Sequence, residues 1–201
     1  AVGVDFICDA VVNPDDGYAR IVAGDLVQAH RRGAMLSREI YEHHVTQKAD
    51  IVICTSGGWP YDLDMVQAKK ALVPARECVR KGGCVILLGE CEDGWGGEQP
   101  FRTLLQSEDP GAIIAEMRRR LADGDVDWNW APCSTGFLFS SIVHDLEAQL
   151  IIVSRLSDEI ERTFADPAPD LTAALTMADE RLGPDASIIG LHDGRRVICT
   201  A

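Results

Sequence analysis

Ala49-Asp50-Ile51-Val52-Ile53-Cys54-Thr55, followed at once by Ser56-Gly57-Gly58-Trp59-Pro60, decides the fold of this chain. The first seven residues form an apolar run broken by a single charge. Such a run suits a strand covered on both faces, where no alternation with polar residues is needed. The glycine-proline segment is the loop that ends it. Tyr61-Asp62 then begins a helix, with Asp62 or Asp64 placed to cap its free N–H groups. Met65, Ala68, Leu72, Ala75 and Val79 recur at helical spacing and form its core face. Pro74 has no N–H and predicts a kink or a restart. Lys81-Gly82-Gly83 reads as the helix end. Cys84-Val85-Ile86-Leu87-Leu88-Gly89 is a second apolar run. Strand, helix and strand in succession make a parallel pair with a right-handed crossover.

Upstream, Val2 to Val12 reads as a strand, Asn13-Pro14-Asp15-Asp16-Gly17 as a turn, and Tyr18 to Ala23 as the returning strand of a β-hairpin. Gly24-Asp25 opens a helix to about Arg38, and Ile40 to Val45 suits a short strand. Downstream, helices are predicted over Pro100–Gln106, Pro110–Leu121, Phe137–Glu147 and Asp170–Leu182, the last ended by Gly183-Pro184. Gln149 to Ser154 is a third buried strand. Ser187–Leu191, the Asp193-Gly194 turn and Arg196–Thr200 read as a closing hairpin. Helices alternating with buried strands give an α/β fold. The expected architecture is a parallel-containing sheet with helices on both faces and β-hairpins at the N- and C-termini.

Composition narrows the function. The 201 residues suit one domain, and 46% hydrophobic with 25% charged residues is an ordinary globular mix. A net charge of −13 repels phosphate backbones and argues against nucleic acid as a partner. No stretch of eighteen apolar residues occurs, so no membrane span is expected. The seven cysteines include no CxxC pair and several lie in apolar runs, which favours free thiols in a reducing cytoplasm. The chain opens at Ala1 inside a strand-like run, so it is expected to be cut from a longer protein.

Ligands of parallel sheets bind beyond the carboxyl ends of the strands. Two strands here end in glycine-rich loops, one holding Gly57 and Gly58, the other Gly94-Trp95-Gly96-Gly97. The first leads toward a helix N-terminus, which favours an anion such as a carboxylate or phosphate. Tight strand-to-helix turns would need the same glycines. Neither loop matches GxGxxG or GxxxxGK, so nucleotide binding has no motif behind it. Gln67 and Lys70, three apart, share one helix face opposite the core. They suit a solvated surface or a pair that grips a small acid, an ammonium for the charge and an amide for direction. The five histidines show no HxH or HExxH spacing, so no metal site is expected. The acidic residues Glu90, Glu92, Asp93 and Glu98 read as a solvated loop. No serine sits in a GxSxG elbow.

Taken together, Ala49-Asp50-Ile51-Val52-Ile53, Gly57-Gly58-Trp59-Pro60-Tyr61-Asp62, Gln67-Ala68-Lys69-Lys70-Ala71 and Asp93-Gly94-Trp95-Gly96-Gly97-Glu98 resemble the C-terminal domain of the nickel-pincer lactate racemase family. So do Gly82-Gly83-Cys84-Val85-Ile86-Leu87-Leu88, the opening Gly3-Val4-Asp5-Phe6-Ile7, and Leu171-Thr172-Ala173-Ala174-Leu175 with Gly183-Pro184-Asp185-Ala186. The order is kept over most of the chain.

The resemblance implies that residues 1–201 are the C-terminal domain of a two-domain isomerase, a racemase or epimerase of 2-hydroxy acids. A separate N-terminal domain would carry the nickel-pincer nucleotide and the acid/base histidines, and no cofactor is expected on the fragment. That domain and a small 2-hydroxy acid are the implied partners. The implied chemistry moves a Cα hydride to the cofactor and returns it to either face. The C-terminal domain's glutamine and lysine map onto Gln67 and Lys70, and Trp128 is the candidate tryptophan lining the site. Val66 precedes Gln67 where the resemblance implies a tyrosine. The competing expectation is a non-catalytic module that binds a small anion or another chain.

Overall fold

A computed structural model describes residues 3–96, 109–125 and 136–200. The strands, in chain order, are β1 (Ile7–Val12), β2 (Tyr18–Gly24), β3 (Glu42–His44), β4 (Ala49–Thr55), β5 (Val79–Leu88), β6 (Gln149–Val153), β7 (Asp166–Ala168), β8 (Ile188–Leu191) and β9 (Ile198–Thr200). The helices are α1 (Leu26–Tyr41), α2 (Met65–Ala68), α3 (Leu72–Cys78), α4 (Pro110–Ala122), α5 (Ser157–Ile160) and α6 (Leu171–Leu182). They belong to two compact units, one spanning residues 45–195 and one formed by residues 1–44 with 196–200.

The larger unit is built on a five-stranded sheet in the order β7-β6-β5-β4-β8, and every pairing in it is parallel. Alternate residues of each strand serve opposite faces. Ile51, Cys84, Ile86 and Ile151 point to one face, where Ala174 and Ala178 of α6 meet them. Val52, Cys54, Val85, Leu87, Leu150 and Ile152 serve the other and are wholly buried, with α3 packed on β4 and β5. Helices therefore cover both faces. Each fully buried aliphatic side chain contributes about 1.5–3 kcal/mol, which makes this sheet the dominant core. Burial also pushes the thiols of Cys84 and Cys91 up to about 12, so they stay protonated and unreactive at neutral pH.

The segment after β4 departs from one continuous helix. It is α2, then a 3₁₀ turn over Lys69–Ala71, then α3. Pro74 falls in the first turn of α3, where its missing N–H would have no partner in any case. The helix ends at Cys78, and Val79 begins β5 rather than closing the helical face. Lys81-Gly82-Gly83 lies within the strand as an irregularity, because Ala49 pairs with Val79 while Ile51 pairs with Cys84. Gly82 takes φ +74° and donates to the Leu146 carbonyl, and a Cβ on Gly83 would lie 2.5 Å from the Asp50 carbonyl oxygen.

Further along, α4 is capped by Asp109, and the predicted helix over Phe137–Glu147 ends in a π-helical turn, Ser141–Asp145. The short elements α5 and β7 carry no periodic signal of their own. The expected helix over Pro100–Gln106 lies outside the described residues. Asp170 caps α6 through Ala173 N at 2.8 Å, and Gly183 ends it at φ +87°.

The expected C-terminal hairpin does not form. β8 lies parallel to β4 at the sheet edge, and β9 lies parallel to β3 in the smaller unit. A hairpin turn at Asp193-Gly194 is prevented by what those residues touch. Asp193 bridges to Ser56, Gly194 packs so close to Ala71 that a Cβ would meet it at 2.9 Å, and a 3₁₀ turn over Gly194–Arg196 follows.

The N-terminal hairpin does form, as β1 and β2 with an irregularity at Val12. α1, capped by Asp25, packs on it and buries Ala29, Gly33 and Leu36. Tyr41 Oη donates to the Val12 carbonyl at 2.8 Å, and Arg196 donates to the Pro14 carbonyl and pairs with Asp16.

Candidate functional site

The loop after β4 is held from within. Ser56 is fully buried, and its hydroxyl donates to the Tyr61 carbonyl at 2.9 Å. Gly57 takes φ +92° and Gly58 takes φ +76°. Gly57 N donates to Thr55 Oγ1 at 2.9 Å, and Gly58 O accepts from Tyr61 N at 2.7 Å. Behind the loop, the Arg195 guanidinium lies 3.3 Å from the centre of the Tyr61 ring. It donates to the Ser56 carbonyl and pairs with Asp193, both at 3.0 Å. A Cβ on Gly57 would meet the Asp193 carboxyl at 3.1 Å.

These contacts correct one expectation. The loop does not offer a free helix N-terminus to an anion. α2 is only four residues long, and the Asp64 carboxylate already accepts from Gln67 N at 2.8 Å. An incoming anion would meet that carboxylate, so the positive charge has to come from side chains.

Lys70 supplies it, with the neutral amide of Gln67 beside it. The two side chains meet, with Lys70 Nζ donating to Gln67 Oε1 at 2.5 Å. The amide is thereby oriented with Nε2 turned away from the ammonium. Beyond that contact the pair still offers donors, the remaining N–H groups of Lys70 and the Nε2 group of Gln67. That is a surface for a carboxylate or another oxygen-rich anion. Lys70 is exposed and Gln67 half-buried.

Lys69 is the residue that spacing did not reveal. The residue is only 8% exposed, within the 3₁₀ turn that joins α2 to α3. Burial, with repulsion from Lys70, lowers its ammonium to about 8, and Asp64 partly offsets this. The one signal available in sequence was the lysine doublet itself.

The second glycine-rich loop holds this turn in place. Met65 N donates to the Gly94 carbonyl, Asp93 N to Leu63 O, and Cys91 N to Asp62 O. The Asp62 carboxylate accepts from Glu90 N at 3.1 Å. Gly96 takes φ +65° so near Asp64 that a Cβ would lie 2.1 Å from its carboxyl carbon. Trp95 is buried and donates from Nε1 to Glu159. The acidic side chains Glu90, Glu92 and Asp93 are exposed, while the backbone of their loop backs the Gln67–Lys70 turn through residue 96.

Beyond the carboxyl ends of β4, β5 and β6 lies a groove of about 580 Å³, with Thr55, Leu88, Ser154 and Arg155 on its walls. A smaller hollow of about 320 Å³ adjoins Trp59, Asp62 and Glu92. Arg155 pairs with Glu90 at their junction. Gln67, Lys70, Gly57 and Gly58 are not among the residues lining either hollow. Trp128, the remaining sequence-derived candidate, lies outside the described residues, as do Gly97 and Glu98. Among the described residues no three His, Cys, Asp or Glu side chains come together as a metal site. No helix among them is long and apolar enough to cross a membrane.

An open, all-parallel five-stranded α/β sheet with an adjacent glutamine–lysine pair in its first crossover defines the class of domain. Comparison with known families makes this specific: residues 44–199 match the model of the lactate racemase C-terminal domain, and the chain belongs to that family. Two curated lactate racemases, from Thermoanaerobacterium thermosaccharolyticum and Lactiplantibacillus plantarum, are each 28% identical over 96% of the chain. The chain spans 44% of the length of each. The solved lactate racemase apoprotein of T. thermosaccharolyticum superposes with a TM-score of 0.84 at 25% identity, covering 98% of this chain and 46% of that one. A Thermotoga maritima protein of solved structure shares the fold, with a TM-score of 0.61 at 11% identity.

Proposed function

We propose that this chain is the carboxyl-terminal half of a cytoplasmic 2-hydroxyacid racemase or epimerase, and that Gln67 and Lys70 hold the substrate. The observation that carries the reading is the 2.5 Å contact from Lys70 Nζ to Gln67 Oε1, which sets an ammonium and an amide side by side. A 2-hydroxy acid has a carboxylate and a hydroxyl on adjacent carbons. Lys70 neutralises the carboxylate, or polarises the substrate oxygen as it gains carbonyl character. Gln67 fixes the orientation of the acid by donating from Nε2. Gly57 and Gly58, in the loop after β4, and Trp128 are the further candidates for contact with the substrate.

Where such a centre is inverted by hydride transfer, a hydride acceptor is needed, which a nickel-pincer nucleotide would supply when bound. In this reading the cofactor and the proton-transferring histidines belong to the upstream domain of the full-length protein.

The test is an isomerisation assay of the full-length protein, loaded with cofactor, on a panel of enantiopure 2-hydroxy acids followed by chiral chromatography. Appearance of the mirror-image acid supports the reading. If no acid on the panel is inverted, while the chain alone binds small anions in a calorimeter, the non-catalytic binding module is the better account.

A further inference from the structure

The smaller unit has too little core for its apolar content. Among the described residues, nine of the thirteen exposed large hydrophobic side chains belong to it, including Phe6, Tyr18, Ile21 and Met35. Only Val11, Ala29 and Leu36 are its buried hydrophobics. The hairpin shows why. α1 covers the face that carries Val11 and Val22, and a Cβ on Gly33 would touch Val22 at 3.2 Å. On the other face Cys8 stands opposite Ala23 and Ala10 opposite Ile21. Opposed residues of an antiparallel pair point the same way, so these four form one face with no charge on it. All four are exposed. A two-stranded sheet is marginal alone, and one that shows water an uncharged face lacks a layer.

We propose that this face is the docking surface for the upstream part of the same polypeptide, and that residues 3–44 form the margin of that neighbouring domain. Two findings name the occupant. The family model of the C-terminal domain starts only at residue 44, one residue before the larger unit begins at Val45. Yet both curated relatives align over 96% of the chain and are more than twice its length, so the hairpin belongs to the enzyme while lying outside that domain model. The missing layer is apolar and seats on Cys8, Ala10, Ile21 and Ala23. The inference rests on the two-domain part of the reading above and on none of its chemistry.

Cys8 is the probe. The full gene product and the 201-residue chain are alkylated side by side under native conditions, and the Cys8 peptide is quantified by mass spectrometry. The expected result is alkylation at least tenfold slower in the full product, with Ile21→Asp restoring the fast rate there and leaving the 201-residue chain unchanged. Equal rates in the two proteins would overturn the proposal. So would protection of Cys8 in the 201-residue chain that grows with concentration, which would make a second copy the occupant. The readout needs no turnover. A product inactive on every hydroxy acid yet protected at Cys8 would remove the proposed function and keep the surface, and an active product with unprotected Cys8 would do the reverse.

Discussion

Replacing Gly96 with alanine tests whether the second loop fixes the Gln67–Lys70 turn. The new Cβ would lie 2.1 Å from Asp64 Cγ and 2.4 Å from its Oδ2, far inside contact distance. Asp64 must then swing out, and Gln67 N loses the carboxylate it donates to at 2.8 Å. Loss of an aspartate cap costs about 1 kcal/mol. An alanine held at φ +65° costs roughly another 1–2 kcal/mol. The sum is about 2–3 kcal/mol. Gly94→Ala is the control, since it has φ +81° but no atom within 4 Å of an added Cβ. It should lose only the backbone part, about 1–2 kcal/mol. Urea unfolding of the two variants reads the difference directly. If Gly96→Ala is no less stable than Gly94→Ala, Asp64 does not occupy the place assigned to it and the loop is not the backing of the turn.

Arg195→Ala removes the cation over Tyr61 together with the donor to Ser56, and should cost about 2 kcal/mol by thermal unfolding, with Arg195→Lys recovering less than half. Lys69 loses its proton near 8 when folded and near 10.5 when unfolded. The unfolded state therefore holds the extra proton in that window, and wild type should gain stability relative to Lys69→Met between pH 7.5 and 10.5, by about 2–3 kcal/mol at full effect. A pH-independent difference would refute the buried placement. Hydrogen bonds from Ser187 and the Arg80 guanidinium hold the Asp50 carboxyl well below the usual carboxylate range. Its contribution is present at neutral pH and lost as pH falls below about 4, so the advantage of wild type over Asp50→Asn should vanish in acid.

The larger unit was legible because its signal is redundant. The runs 51–54 and 84–88 are apolar throughout, as strands of a doubly covered parallel sheet are. Asp25 and Asp170 were visible as helix openings by residue type. The C-terminal hairpin was misread because Asp193-Gly194 is a good turn pair locally, while the contacts that redirect it, to Ser56 and Ala71, lie more than 120 residues away. Val79 misled for a similar reason. It continues a helical spacing, but pairing with Ala49 places it in β5. At the site, the spacing of Gln67 and Lys70 put them on one face. The burial of Lys69 falls off the spacing of the core face, and the Gly96–Asp64 contact joins two loops that sequence treats separately.

The central claim is that Lys70 holds the substrate, and turnover of Lys70→Ala in the full-length, cofactor-loaded protein tests it most directly. Loss of such a group should lower kcat/KM about a hundredfold or more on whichever 2-hydroxy acid the wild type inverts, with Tm unchanged because Lys70 is exposed. A Lys70→Ala variant that folds normally and inverts the acid at near wild-type rates would contradict the account.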